Sequence, residues 1–136
     1  MGKVKVGFIC VGNSCRSQMA EGFARELAAD LFEVYSAGTD PASEIKPKAV
    51  QVMKEKGIDI SNQQPKLLKE IPEELDILIT MGCDVQCPAV PCSFREDWGL
   101  DDPDGKDIEV FRQSREIIEE KVRDLIKKVK NGKLYL

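Results

Sequence analysis

The chain of 136 residues contains no histidine, few aromatic residues and no long hydrophobic run. Without histidine it has no Ser-His or Cys-His dyad, so any nucleophile must be activated by other groups. No apolar run approaches the ~20 residues of a membrane span, and the apolar stretch near the N-terminus is too short for a signal peptide. We therefore expect a cytoplasmic protein that does not associate with membranes.

The chain also lacks net positive charge, since 24 acidic residues outnumber 20 basic ones, the net charge is −4 and the isoelectric point is near 5. Nucleic-acid binding relies on clustered Lys and Arg, and the lysines near the C-terminus follow an acidic stretch that makes them typical helix-end charges. We expect no nucleic-acid partner. The length and composition suit one globular domain over residues 1–136, which we expect to be a monomer.

Strand patterns alternate with helical patterns along the chain. Apolar strand-like segments cover residues 3–9, 32–38, 76–81 and 91–97, the last starting with a proline that suits an edge strand. Helical periodicity begins near residue 16, again at Pro47 with Val50 and Met53 as its apolar face, and again over 108–131. This order predicts an α/β fold with three layers, in which helices cover both faces of a central four-stranded parallel sheet.

The loop after the first strand carries a cysteine and an arginine six residues apart. A loop that runs from a strand into a helix directs backbone N–H groups and the positive end of the helix dipole at one point, which favours an oxyanion. The predicted oxyanion-binding residues are Val11, Gly12, Asn13, Ser14, Cys15 and Arg16. The same field favours a thiolate, so Cys10 is the predicted nucleophile, with Ser17 donating to it and Asn13 supporting the loop. The alternative is a buried, inert Cys10 and a surface Arg16.

Three segments carry a resemblance to a known family. "CVGNSCRSQMAEG" (10–22), "VYSAG" (34–38) and "WGLDDPDGK" (98–106) resemble the low-molecular-weight tyrosine phosphatase fold family, and within it the thioredoxin-coupled arsenate reductases. From the residues alone, Asp101, Asp102 and Asp104 are all candidate acids. The resemblance implies Asp102, directly before Pro103, as the acid for the leaving oxygen. Asp104 and Gly105 stand where the phosphatases have aromatic residues, so nothing there would hold a phosphotyrosine ring.

The resemblance also implies a role for the second cysteine loop, "TMGCDVQCPAVPC" (80–92). Cys83 would attack Cys10 to release arsenite, and Cys87 would free Cys10, leaving a disulfide for thioredoxin or a similar dithiol protein. Known relatives have six residues between these two cysteines, whereas this chain has three. A disulfide needs Cα atoms within about 7 Å, and an extended segment would hold them about 13 Å apart, which predicts a turn. Cys92 is the rival third thiol, and Cys15 is expected to be a bystander.

The sequence offers two possible metal sites, one for zinc and one for potassium. Cys83, Cys87 and Cys92 have the spacing of zinc ligands, but no histidine is available as the fourth. Asn13, Glu21 and Ser36 match the potassium ligands of some family members, whereas Lys66 stands at the remaining carboxylate position and would repel a cation. We therefore expect no resident metal and no cofactor.

The sequence leaves three functions open. The first is a cytoplasmic arsenate reductase that uses Cys10, Arg16, Ser17, Asp102, Cys83 and Cys87. The second is a tyrosine or small-molecule phosphatase in which the cysteine pair is only a redox lock. The third is a non-enzymatic thiol sensor. Trp98, if exposed, would suit a docking face for the reductant, although packing is the commoner fate of a lone tryptophan.

Overall fold

A computed structural model describes residues 3–82, 90–134 and 136. Strands and helices alternate along it, as the sequence patterns predict. The elements are β1 Val4–Cys10, α1 Arg16–Ala28, β2 Phe32–Gly38, α2 Pro47–Lys54, a 3-10 turn at Leu68–Glu70, β3 Leu75–Thr80, β4 Cys92–Asp97 and α3 Ile108–Lys130. No helix in the described part of the chain is both long enough and apolar enough to cross a membrane.

The four strands form one parallel sheet in the order β2-β1-β3-β4, which confirms the predicted α/β fold and places β4 at an edge. Cys10 lies opposite Gly38 in the register between β1 and β2. Parallel strands end at the same edge of a sheet, and ligands of such folds bind beyond that carboxyl edge. The loops that follow β1, β3 and β4 therefore meet there.

The main core lies between one face of the sheet and the three α-helices. Alternate strand residues such as Val6, Phe8 and Ile77 share a buried cluster with α1, α2 and α3. The opposite face has a smaller cluster, in which Leu75 and Leu78 are buried beside the 3-10 turn. Within residues 3–82 and 90–134, all three α-helices thus pack on one face, whereas the sequence predicts helices on both faces. The reason is that α2 packs against α1 and α3, while the 3-10 turn and the adjoining loop cover the second face.

Helix α2 begins with Pro47 in its first turn, as predicted. Its fully buried positions are Ala49, Val52 and Met53, whereas Val50 is only half-buried. The buried face of α2 is therefore rotated relative to the predicted apolar face, because α1 and α3 both pack against this short helix. Helix α3 begins at the Asp107 side chain, which accepts a hydrogen bond from the Val110 amide at 3.3 Å.

Candidate active site

The loop between β1 and α1 is held from outside by the segment that follows β2. Four of its carbonyl groups accept hydrogen bonds from that segment: Cys10 from Thr39 (3.3 Å), Val11 from Asp40 (2.9 Å), Gly12 from Ala42 (2.9 Å) and Ser14 from Lys46 (2.8 Å). In a trans peptide the C=O and the next N–H point in opposite directions. The amides that follow these carbonyls therefore point into the loop, as an oxyanion nest requires.

Gly38, at the end of β2, makes this close approach possible. A Cβ atom at this position would collide with the carbonyl oxygen of Val11 and lie 3.0 Å from the Cβ of Asn13. Any side chain here would therefore push the loop away from β2. Sequence reasoning placed Gly38 at the end of a strand and in one segment of the family resemblance, but did not identify this close approach.

The Cys10 sulfur is surrounded by hydrogen-bond donors. The Asn13 amide N–H donates to it at 3.1 Å, and Ser17 Oγ lies 2.9 Å away. Ser17 Oγ also accepts from Asn13 Nδ2 at 2.8 Å, which leaves its own proton free to point at the sulfur. These are the hydrogen-bond donors that can support a nucleophilic sulfur without a histidine.

Asn13 is the centre of this network. It is fully buried and has a left-handed backbone with φ of 48°, which asparagine tolerates better than most residues. Its Oδ1 accepts from Gln18 Nε2 at 3.1 Å and from the Lys66 amide at 2.9 Å, so its Nδ2 is directed at Ser17. Sequence reasoning missed Gln18. The only signal for it in the sequence was a polar residue in the otherwise apolar pattern that starts α1.

Arg16 has two sets of neighbours. Its Nη1 donates to the carbonyl oxygens of Met81 at 2.7 Å and Leu100 at 2.8 Å, which fixes the plane of the guanidinium. Its Nε is buried and has no hydrogen-bond partner among residues 3–82 and 90–134, and its Nη2 lies 3.7 Å from Asp102 Oδ2. Since buried donors are normally paired, this edge of the guanidinium is suited to bind an acceptor. A tetrahedral oxyanion supplies one with bidentate geometry.

Asp102 is the carboxylate that the structure places beside Arg16. Its Oδ1 accepts from the Asp104 amide at 3.0 Å and from Cys15 Sγ at 3.4 Å, which leaves Oδ2 facing the guanidinium. Asp104 instead pairs with Lys46 at 3.4 Å. Asp102 therefore lies beside Arg16, whereas Asp104 does not contact it; Asp102 as the acid stays a prediction.

Cys15 lies under the loop with its sulfur against Asp102. Burial, with the nearby Asp102 charge as the second cause, raises the pKa of its thiol from 9.0 to about 12. A raised pKa keeps the thiol protonated at pH 8. The thiolate is the reactive form of cysteine, so burial and the raised pKa both disfavour reaction of Cys15 in the folded protein.

We therefore expect iodoacetamide at pH 8 to leave Cys15 unlabelled while the half-buried Cys92 is labelled, as measured by peptide mass spectrometry. The same reagent in urea serves as the control, because unfolding removes the burial and Cys15 then reacts. Labelling of Cys15 at the rate of Cys92 in the folded protein would contradict this.

The predicted relay cysteines, Cys83 and Cys87, lie outside the described residues. Gly82, just before Cys83, has φ of 105° and lies at the carboxyl edge, where an added Cβ would be 3.5 Å from Arg16 Nη1. Cys92 instead begins β4 and pairs with Leu75 at the opposite edge. The length of β4, about 17 Å, separates the two edges. This placement weakens the alternative in which Cys92 is the third thiol of the relay.

The buried carboxylate of Glu21 already has partners within the chain. It accepts a hydrogen bond from Ser36, pairs with Arg25 at 2.8 Å, and lies 3.8 Å from Lys66 Nζ. The Lys66 ammonium therefore lies within ion-pair distance of this carboxylate. No group of three or more metal-ligating side chains is found in residues 3–82 and 90–134, although two of the three cysteines of the zinc alternative lie outside them.

Trp98 does not form an exposed docking face. It is buried, its ring centroid lies 5.8 Å from that of Phe8, and its Nε1 donates to Glu96 at 2.9 Å. The packing alternative is therefore correct for this residue, because β4 ends beside the main core.

Comparisons with known proteins agree with this geometry. The family model described as low molecular weight phosphotyrosine protein phosphatase matches residues 5–134. An arsenate reductase of Staphylococcus aureus (strain Newman) is 45% identical over 122 residues, which cover 87% of this chain and 92% of the relative. The similar structures include "an arsenate reductase in the phosphate binding state", with a TM-score of 0.82, 41% identity, and coverage of 92% of this chain and 98% of that one.

A thioredoxin-dependent arsenate reductase of Corynebacterium glutamicum is also similar, with a TM-score of 0.78 and 36% identity. The match covers 96% of this chain and 63% of that one. The family model spans nearly the whole chain and includes the loops after β1, β3 and β4. The chain belongs to the low molecular weight phosphotyrosine protein phosphatase family.

Proposed function

We propose that the protein is a cytoplasmic arsenate reductase, acting as a single domain and recycled by thioredoxin or a similar dithiol protein. The named arsenate reductases at 45% identity and the thioredoxin-dependent structural relative support this choice within the family. The observation that carries it is the 2.7 Å hydrogen bond from Arg16 to the Met81 carbonyl. This bond joins the oxyanion-binding loop to the segment that leads into Cys83.

In the first step, the Cys10 thiolate attacks the arsenic atom of arsenate. Arg16 Nε and Nη2, with the amides of residues 11–16, hold the oxyanion and stabilise the charge that develops on it. Asp102 donates a proton to the departing oxygen, which leaves as water. The product is a Cys10–arsenic(V) adduct, with no change of oxidation state so far.

In the second step, the Cys83 thiolate attacks the Cys10 sulfur. The sulfur–arsenic bond breaks and its electron pair stays on arsenic, so arsenic(V) becomes arsenite while a Cys10–Cys83 disulfide forms. Cys87 then attacks Cys83, which releases the Cys10 thiolate and leaves a Cys83–Cys87 disulfide. An external dithiol reduces this disulfide, so the two electrons given to arsenic are restored.

The test is arsenate-dependent NADPH consumption with thioredoxin and thioredoxin reductase. We expect turnover in the unaltered protein and a loss of at least 100-fold in both Cys83→Ser and Cys87→Ser, because each removes one thiol of the relay. Cys92→Ser is the matched control and should retain activity within twofold, since Cys92 lies at the far edge of the sheet.

Hydrolysis of p-nitrophenyl phosphate by the same proteins decides between this function and a phosphatase. The hydrolysis uses the oxyanion-binding loop and Asp102 only, so the cysteine variants should retain whatever rate the unaltered protein has. Aryl phosphate hydrolysis by all proteins without arsenate turnover would favour the phosphatase. Oxidation of Cys10 with neither activity would favour the thiol sensor.

A further inference from the structure

Two segments leave the sheet side by side, and one carboxylate binds both. We name residues 80–82 the β3 exit, which leads into Cys83, and residues 98–102 the β4 exit, which ends at Asp102. Asp97 Oδ1 accepts from Thr80 Oγ1 at 2.6 Å and from the Gly82 amide at 2.8 Å. Asp97 Oδ2 accepts from the Gly99 amide at 3.2 Å. Its carboxylate thus bridges the two exits.

Arg16 bridges the same two segments through their carbonyl groups. Its Nη1 donates to Met81 in the β3 exit and to Leu100 in the β4 exit. Asp97 binds amides of the same two segments: that of Gly82, in the same peptide as the Met81 carbonyl, and that of Gly99, one residue before Leu100. The two exits are therefore held by a cation that binds carbonyl groups and by an anion that binds amide groups.

The two exits also touch each other closely. Gly82 has φ of 105°, and an added Cβ there would lie 2.8 Å from the Leu100 oxygen. At this separation a shift of one exit moves the other, because close-packed backbones have no free space. The position of Gly82 therefore depends on the same contacts as the position of Asp102.

We propose that Asp97 is a positioning residue for the reaction, which sets the β3 exit relative to the β4 exit and Arg16. The proposal rests on the proposed function, in which both exits supply reacting groups. Asp97 binds neither the oxyanion nor Cys10; it acts through Gly82 and Gly99. A misplacement of about 1 Å can lower a rate by about 100-fold, so the hydrogen bonds of Asp97 affect kcat rather than oxyanion binding.

Sequence reasoning did not single out this residue. An aspartate after a strand is typical of a turn in which the side chain accepts from the backbone two residues ahead. The Gly99 contact is of that kind, whereas the contacts with Thr80 and Gly82 join residues 15 to 17 positions apart. Only the pairing of β3 with β4 brings these groups together.

The test compares Asp97→Ala and Asp97→Asn with the unaltered protein. The asparagine variant retains one oxygen for Thr80 and Gly82 but places an N–H₂ group against the Gly99 amide. Asp76→Ala is the matched control: Asp76 accepts from the Lys5 amide at 2.8 Å and lies one residue from the amino end of β3. Thermal unfolding of each protein shows whether it folds.

We expect Asp97→Ala to lower kcat for arsenate at least tenfold, with the phosphate Kd from calorimetry unchanged within twofold. The kcat of Asp97→Asn should lie between that of Asp97→Ala and that of the unaltered protein. The kcat of Asp76→Ala should match that of the unaltered protein. Hydrogen exchange measured by NMR should accelerate at least tenfold at the Gly82 and Gly99 amides in Asp97→Ala, while the Asn13 amide is unaffected.

Three results would overturn the proposal: a kcat within twofold in Asp97→Ala, unchanged exchange at Gly82 and Gly99, or equal losses of phosphate binding and turnover. If the unaltered protein reduces no arsenate with any dithiol, the proposed function fails instead. Hydrolysis of p-nitrophenyl phosphate then replaces the turnover assay, because Asp102 at the end of the β4 exit should still be misplaced in Asp97→Ala.

Discussion

Replacing Arg16 by lysine is expected to lower kcat/KM for arsenate by about 1,000-fold, or about 4 kcal/mol of transition-state stabilisation. The guanidinium donates to two carbonyl oxygens through Nη1 while its Nε and Nη2 remain for the oxyanion. A lysine ammonium is a single point with three donors, so it cannot reach both the two carbonyl oxygens and the oxyanion. The variant must therefore lose either the oxyanion or the contact between the two exits.

Steady-state kinetics with arsenate, together with calorimetry of phosphate binding, measure this effect. Arg25→Lys is the matched control, because Arg25 pairs with Glu21 from a half-exposed position away from the Cys10 loop. We expect that variant to stay within threefold of the unaltered protein. A loss of less than tenfold in Arg16→Lys would mean that the free edge of the guanidinium does not bind the oxyanion.

Asn13→Ala is expected to destabilise the fold by about 2–4 kcal/mol and to reduce arsenate turnover at least 100-fold. The substitution leaves the Lys66 amide without its acceptor, and an unpaired buried donor costs about 1–3 kcal/mol. Gln18 Nε2 loses one of three acceptors and keeps the carbonyl oxygens of Asn13 and Gln64. Alanine also adopts the left-handed backbone less readily than asparagine does. The Ser17 hydroxyl loses the donor that orients it towards Cys10.

Urea unfolding gives the stability change, and Asn13→Gly separates its two causes. Glycine adopts a positive φ without strain, so its loss of stability reports mainly on the missing side-chain hydrogen bonds. Asn62→Ala, at an exposed position, is the control and should change the free energy of unfolding by less than about 0.5 kcal/mol. Wild-type stability in Asn13→Ala would contradict the role of this network.

Local patterns explain why most of the fold could be predicted from the sequence. Each strand and each α-helix is marked by its own periodicity, and strands that alternate with helices have few allowed topologies. The grouping of side chains in the loop between β1 and α1 was predictable for the same reason. Cys10, Asn13, Arg16 and Ser17 lie within eight consecutive residues that join a strand to a helix, so chain connectivity alone brings them together.

The remaining features depend on contacts between distant segments. Periodicity shows which residues are buried but not which face of the sheet a helix covers, so the packing of all three α-helices on one face was not foreseen. The acceptors of Arg16, Met81 and Leu100, are backbone carbonyls that no side-chain pattern marks. The resemblance to a family, rather than any local rule, selected Asp102 from its acidic neighbours.

Trp98 is the sole tryptophan of the chain, and it is buried between Asp97 and Gly99 with its ring against Phe8. The protein consequently carries its own fluorophore at the first residue of the β4 exit, the segment that ends at Asp102. Its emission comes from one known place and needs no dye or label. Rapid-mixing optics on the unmodified protein can therefore follow this segment in time as an oxyanion arrives and as the thiols are oxidised.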